Sequence, residues 1–595
     1  MNSRKILCAL VSALTLVCGT FAVEVDEDEI RSISGSDVVF ENYVGPHSVI
    51  NTIEEIRAIG SNIGNMVAQN VDQAGSYGYA PKYAVIHAID PAETSKLDAD
   101  ILIIGPDAIV DHITNVRRII SAYLTAAYGY SRQDADVVAT FVTVYNAVYR
   151  GRLDMFREKY KTIVTDNLTA DSVGIALSYR EWPGRTQLVI PLYDINGGLS
   201  TVDTSVISDR EVIESMQEDD DKGIDDRKGM VDIKEREADN AAEQAAEEQA
   251  KADEEKAKAA EAQKKADEEK AKAAEAQQKA DEEKAKADAA KKAAEDAAKK
   301  ADDAKKTADD AQKKANENPA DKQAQEDARA ATADANAKQQ EAAEAQSDAN
   351  AQQQQAAQEQ QKADEQQQKA DAQQQKADEQ QQKADEQQQK ADEQQQKADS
   401  AQNTADQKRS EAQQERSSIA QDQQQVIEQQ ERNGRSTSVY GLTAEDDLGQ
   451  RSAIVRMNTA TGELIKKSPV TVIQSRTFYE NDSTLIAIAG ENVGNGTVKL
   501  VHLDKDTLEI IKESNETIAA NSVLVQDGNS YYCVMQDSDA FVVGKFNAEL
   551  ENQLKSPVRV RPSTPITVTQ GGIIVTSATG TPILLNKTDL TQLSK

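Results

Sequence analysis

Apolar side chains fall on different periods along this chain, and the changes of period mark out its parts. From residue 24 to about residue 215 the spacing is mixed. Ile50, Ile53, Ile56, Ile63, Met66 and Val67 recur at helical intervals, which predicts a helix. The runs KYAVIHAI (82–89), DADILIIG (98–105) and TQLVIPL (186–192) are short and rich in branched residues; Asp90-Pro91 and Gly105-Pro106 close the first two, so these read as strands. Two long helices are expected from about Ala108 to Tyr128 and from about Arg132 to Tyr149. The second opens on Ser131, which can cap it, with Asp134 three residues on to answer. Further helices are expected at about 152–165 and 170–180. Residues 24–215 therefore predict a helix-rich α+β domain with a small sheet.

Residues 216–233 are rich in Asp and Gly, and we expect an acidic linker or loosely packed collar there. Its DDDKGIDD lacks the fixed ligand offsets of a calcium-binding loop and reads as a solvated acidic run.

The middle, 234–432, has a period but almost nothing apolar on it. Between Lys234 and Ser418 there is no Ile, Leu, Val, Met, Phe, Tyr, Trp, Cys or Gly, so no globular core can form. Ala, Gln, Lys and Glu nevertheless all favour helix, and acid-first pairs such as Glu254/Lys258, Glu268/Lys272 and Glu379/Lys383 add about 0.2–0.5 kcal/mol each. Alanine recurs in steps of seven from Ala238 to Ala315, and again from Ala328 to Ala412, where the stripe continues into Ile419 and Val426. The change of frame coincides with Asn318-Pro319, a good cap and first-turn pair. This predicts a helical rod broken near 316–319, as a single helix or a weak coiled coil, a folded-back hairpin being one form of the latter. A buried alanine methyl contributes at most about 0.8 kcal/mol, so any seam is weak per turn.

From 436 to 595 the grammar becomes β. IVRMNTATGELIKKS (454–468), LVHLDKDTLEIIKES (500–514), VVGKFNAELENQLKS (542–556) and PILLNKTDLTQLSK (582–595) share an outline of strand, Asn or Asp at a turn, and second strand. A recurrence of about 40–46 residues with about four strands is the mark of propeller blades, so an all-β, propeller-like domain of four blades is expected, with STSVYGL (436–442) as a closing strand and a sandwich of irregular hairpins as the alternative.

Composition narrows the function. A formal net charge of −34 argues against nucleic acid as a partner, since binding a polyanion needs clustered Lys and Arg. At the N-terminus, Arg4 and Lys5 precede an apolar run from Ile6 to Phe21 and then an acidic stretch. This predicts a signal peptide over 1–22 cleaved after Ala22, with lipidation at Cys18 as the alternative. Cleavage there leaves Cys533 as the only cysteine, which excludes an internal disulfide and a cysteine metal site. His47, His87, His112 and His502 are scattered and form no helical pair of metal ligands. Asp111 and His112 are neighbours and point to different faces of a helix. No catalytic, cofactor-binding or metal residue is assigned, and the expectation is of a non-enzyme without a cofactor.

The stretches ILIIGPDAIVDHITNVRRIISAYLTAAYGYS (101–131), VYNAVYRGRLDMF (144–156) and ALSYREWPGRTQLVIPL (176–192) resemble the spirochaetal major antigen family typified by the 83/100-kilodalton protein of Borrelia. The resemblance implies an envelope-associated, immunogenic protein, periplasmic or on the cell surface, and it transfers no site residue. Together these readings predict an exported antigen whose helix holds two folded domains apart. Protein partners are expected, and weak self-association through the helical region. Two alternatives are a periplasm-spanning tether similar to energy-coupling envelope proteins, and an envelope enzyme with its site in the β domain.

Overall fold

The structure is a computed structural model that describes residues 38–48, 51–193, 197–217, 221–317, 322–434 and 437–593. The expected signal peptide and its alternative at Cys18 lie outside the described residues. The chain divides into two compact units: residues up to Ala238 together with those from Gln407 on, and residues 239–406.

In the first unit, the N-terminal part is α+β. A four-stranded antiparallel sheet runs β1 (Gly75–Tyr79), β2 (Tyr83–Ala88), β3 (Asp98–Ile104), β4 (Thr186–Leu192) in spatial order. Strands β2 to β4 fall where branched residues predict them, and β1 precedes them within the glycine-containing run GSYGY. Helix α1 (Ile53–Ala68) starts with a Thr52/Glu55 capping box. It crosses α2 (Ile113–Tyr128) so closely that a Cβ at Gly60 would lie 2.0 Å from the Ile119 carbonyl oxygen. Helix α3 (Arg132–Val148) begins as expected, with Ser131 Oγ accepting from the Asp134 N–H at 3.2 Å. The helix expected at 152–165 is two short ones, α4 (Leu153–Lys159) and α5 (Thr162–Thr165). The one expected at 170–180 reduces to a single 3-10 turn at Tyr179–Glu181, because its apolar residues Val173, Ile175 and Ala176 are all drawn into the core as irregular chain. Trp182, Tyr145, Phe156 and Tyr160 fill that core without exposure. Two short helices, α6 (Thr204–Ile207) and α7 (Arg210–Met216), follow β4.

The expected acidic linker is largely helix. Helix α8 runs Ile224–Glu317, and its first turns bury Ile224, Met230, Val231 and Ile233. Ile224 and Val231 pack on Ala412, Ile419 and Val426 of helix α9 (Lys322–Gly434). Four apolar residues at helical spacing thus outweigh the Asp and Gly around them. The firmer end of the alanine stripe lies at Ile419 and Val426, as the sequence suggests. Arg227, fully buried, donates to Glu415 at 2.5 Å, Asp422 at 2.8 Å and Ser418 at 2.9 Å, so its charge is paired and hydrogen-bonded as burial requires.

The second unit is an antiparallel helical hairpin, not a lone helix. Ala252 and Ala266 on α8 and Ala377, Ala391 and Ala405 on α9 are fully buried, while Ala245, Ala259, Ala273, Ala370, Ala384 and Ala398 are nearly so. Gln249 and Gln395 exchange amide hydrogen bonds in both directions, at 3.2 and 2.8 Å. Gln263 and Gln381 do the same at 3.1 and 2.9 Å. As one index rises by fourteen the other falls by fourteen, which fixes the antiparallel register. Helix α8 is described to Glu317 and α9 from Lys322, and the break expected at Asn318-Pro319 lies outside the described residues.

The β-rich part belongs to the first unit and consists of four successive antiparallel groups. They are β5–β7 (Ser438–Ala444, Ser452–Asn458, Leu464–Lys467) and β8–β11 (Ile473–Glu480, Thr484–Ala489, Lys499–Asp504, Ile510–Glu513). Then come β12–β15 (Val525–Asp527, Ser530–Asp537, Ala540–Phe546, Asn552–Arg559) and β16–β18 (Thr567–Thr569, Gly572–Thr576, Pro582–Leu585). A pairing at Ser452 and Ile473 joins the first two groups into one seven-stranded sheet, so there are three sheets rather than four separate blades. The strand STSVYGL becomes β5 and pairs with β6; it closes no ring onto the last group. Three of the four expected strand–turn–strand stretches are present, and in the fourth β18 and its turn are followed by a single bridge, Leu585 to Gln592, in place of a second strand. In each, the Asn or Asp of the turn accepts from backbone N–H groups two residues on, as Asn458, Asp504, Asn547 and Asn586 all do.

One expectation of the sequence is overturned here: the helical region does not hold the folded ends apart. Val470, Val472 and Ile473 share a continuous apolar core with Tyr43, Ile101 and Trp182. The physical reason is the hairpin, which reverses the chain and returns residue 407 to the unit that residue 238 left.

Candidate functional site

The most structured polar region lies where the N-terminal part meets the β-rich part. Residues 38–48 form an extended arm between them. On one side Glu41 bridges to Ser178, and on the other His47 bridges to Gly496. The Thr497 N–H donates to the Pro46 carbonyl at 3.0 Å, and Ser48 Oγ donates to the Asn495 carbonyl at 2.9 Å.

Glu491, on the loop after β9, is the electrostatic centre of this seam. It accepts from Tyr179 Oη at 2.5 Å, Arg180 Nη2 at 2.9 Å and Arg451 Nη1 at 3.1 Å. Arg180 also pairs with Glu41, and Arg451 with Asp446 at 3.3 Å. Burial first, and then the Glu491 carboxylate, push the Tyr179 phenol far above its ordinary range, so it stays a hydrogen-bond donor at any physiological pH.

Beside the seam lies a cleft of about 140 Å³. Its polar lining is His47, Asp111, Asn51, Asn115 and Asn495, and its apolar lining includes Ile56, Ile59, Ile109 and Ile119. His47 Nε2 stands 2.9 Å from Asp111 Oδ2, and the Tyr43 ring meets His47 edge-on. Burial pushes the phenols of Tyr43 and Tyr83 up to about 12. A His–Asp pair can move a proton, and among the described residues no Ser, Thr, Cys or Lys lines the cleft. Its volume is below the roughly 300–1,000 Å³ of sites that enclose a metabolite.

Asp111 thus pairs with His47, sixty-four residues away, and not with its neighbour His112. Sequence gives no signal for that pairing. His112 instead caps α2, its Nδ1 accepting from the Thr114 N–H at 3.1 Å, and burial holds its pKa below the ordinary value. His87 is buried in the sheet: Nδ1 lies 2.6 Å from Asp100 Oδ1 and Nε2 lies 2.9 Å from the Val71 carbonyl. Asp100 Oδ2 accepts from Tyr123 at 2.5 Å and Tyr128 at 2.6 Å. His502 lies between Thr484 Oγ1 at 2.6 Å and the Ala548 carbonyl at 2.8 Å, its pKa lowered chiefly by burial. His87 and His502 thus stand apart, while His47 and His112 lie on either side of Asp111 and feel each other's charge. Cys533 is buried and free, and burial pushes its thiol well above the ordinary range, out of reach of redox or nucleophilic chemistry. Among the described residues no cluster of His, Cys, Asp and Glu could hold a metal ion, and no helix is long and apolar enough to cross a membrane.

The sequence model of the family described as Borrelia P83/100 protein matches residues 27–297 and 287–566 of this chain. Comparison with curated proteins found no match.

Proposed function

Because this chain belongs to the Borrelia P83/100 protein family, we propose that it is an exported, non-enzymatic antigen of the cell envelope that acts through protein contacts. The observation that carries this reading is the surface of the hairpin. Along α8 the side chains of Glu254, Glu261, Lys265, Glu275 and Lys279 are each more than half exposed, at the same heptad spacing. Such a surface offers one charged epitope many times over, and buries too little apolar area to serve as a core. The periplasm-spanning tether is less well supported. It needs the two folded ends far apart, whereas here they share one core.

Cell fractionation combined with protease access tests the proposal. The full chain is expected in the envelope fraction, with a mature N-terminus at Val23. Added protease is expected to cut between residues 239 and 406 on intact cells if the hairpin is on the surface, and only after the outer membrane is opened if it is periplasmic. Recovery from the cytosol with Met1 retained would overturn the reading.

A further inference from the structure

The β-rich part is a repeat, and its groups align residue by residue through the turns that open at Asn458, Asp504, Asn547 and Asn586. In each group the residue before the turn pairs across the sheet: Met457 with Val439, Leu503 with Leu485, Phe546 with Tyr531, Leu585 with Ile573. These four pairs define one face of each sheet, the leading face. One residue earlier the pairs are Arg456 with Tyr440, His502 with Ile486, Lys545 with Tyr532 and Leu584 with Ile574. Since side chains alternate along a strand, these define the opposite, trailing face.

Within the chain, every junction is of one kind. The leading face of a group packs on the trailing face of the group before it. Leu485 and Leu503 of the second group lie in one core with Ile454 and Leu442 of the first. Tyr531 and Phe546 of the third lie with Ile486 and Leu500 of the second, and Ile573 and Leu585 of the fourth with Tyr532 and Val534 of the third. The covered leading residues Leu485, Leu503, Phe546, Ile573 and Leu585 have no exposed surface, and Tyr531 has 1%.

Among the described residues, the two ends of the array keep the same faces but lack the neighbour. On the leading face of the first group, Val439 is 53% exposed, and Leu464, which pairs with Met457, is 56% exposed. On the trailing face of the fourth, Ile574 is 43% exposed where its counterparts Ile486 and Tyr532 are buried. Leu593 is also exposed there, its N–H donating to the Leu584 carbonyl at 2.9 Å. These are rows of apolar side chains on neighbouring strands, not scattered ones.

We propose that the trailing face of the fourth group packs on the leading face of the first group of a second copy of this chain, repeating between molecules the junction already made three times within one. Two copies joined at both ends bring together eight groups. That number lies within the roughly four to eight of closed radial arrays, so a dimer leaves neither face open. Its two junctions are identical and related by a two-fold axis.

Sedimentation velocity of the full chain over a micromolar concentration series tests this. The chain is expected to form a dimer. Leu464→Glu on the leading face and Ile574→Glu on the trailing face are each expected to raise the dissociation constant by about a hundredfold, since each puts an unpaired charge into the junction. An equimolar mixture of the two variants is expected to regain association, because each copy keeps the face that the other has lost. Val439→Glu and Leu593→Glu repeat the test at neighbouring exposed positions, with unchanged circular dichroism as the check on folding. A chain that stays monomeric at every concentration overturns the proposal. So does a dimer that survives all four substitutions, which would place association in the helical hairpin instead.

Discussion

His87 and Asp100 face each other on β2 and β3, both without exposure, and every polar atom of the pair has a partner. Since Nε2 faces a carbonyl oxygen and Nδ1 faces a carboxylate, both nitrogens act as donors and the ring is the imidazolium. Burial alone would lower the His87 pKa, but the hydrogen bond and charge of Asp100 outweigh it and the net shift is upward from 6.5. The stability this pair contributes is thus fully present below 6.5 and is lost as pH rises through the raised folded value. We expect the melting temperature to fall across that window, and the fall to be absent in His87→Gln, which cannot titrate; parallel profiles for the two proteins would sink the assignment. At this scale sequence was informative only for local pairs. Ser131 and Asp134 are three residues apart and could be read as a cap, but Tyr123 and Tyr128 reach Asp100 from a helix whose placement no local pattern specifies.

At the scale of elements, periodicity was a good guide to what forms and a poor one to what it meets. The alanine stripe predicts the two long helices, because propensity, capping and the heptad all act within a few residues. Direction is another matter. An alanine seam is nearly the same read forwards or backwards, so nothing along either helix distinguishes a lone helix from an antiparallel pair. The reciprocal amide pairs Gln249/Gln395 and Gln263/Gln381 make that distinction, and they exist only once the chain has reversed. Spin labels at Gln263→Cys and Gln381→Cys in the chain from Val23 on, with Cys533→Ser to remove its remaining thiol, are expected to give a short, narrow distance distribution. A continuous helix would separate them by about 180 Å at 1.5 Å per residue, far outside the measurable range. The β turns were legible for the opposite reason. An Asn or Asp that binds its own backbone two residues on carries its whole structural argument in five residues, whereas the joining of the first two groups at Ser452 and Ile473 rests on a single long-range pairing.

The whole molecule depends on contacts that cross hundreds of residues, and these leave no trace in composition. Poverty of apolar residues between 234 and 418 reads naturally as a spacer, yet a hairpin of equal poverty brings its two ends together. The seam that results is held by an apolar part, Val470 and Val472 in the core shared with Tyr43, and by a charged part centred on Glu491. Glu491 is mostly buried and has two arginines and a tyrosine on it, so truncating it leaves Arg451 and Arg180 without their shared acceptor. A paired, largely desolvated charge costs about 2–5 kcal/mol to truncate, and the remaining pairs of Arg180 with Glu41 and Arg451 with Asp446 place Glu491→Ala at the low end, near 2 kcal/mol. Because the arm at 41–48 and the loop at 490–497 meet only at this seam, the loss is expected to be local. Hydrogen exchange should quicken at Thr497, whose N–H is held by Pro46 across the seam, while β13 and β14, packed far along the array, keep their protection. Uniform loss of protection through the β-rich part would mean that Glu491 holds up the array itself, and that the two folded parts are one cooperative body.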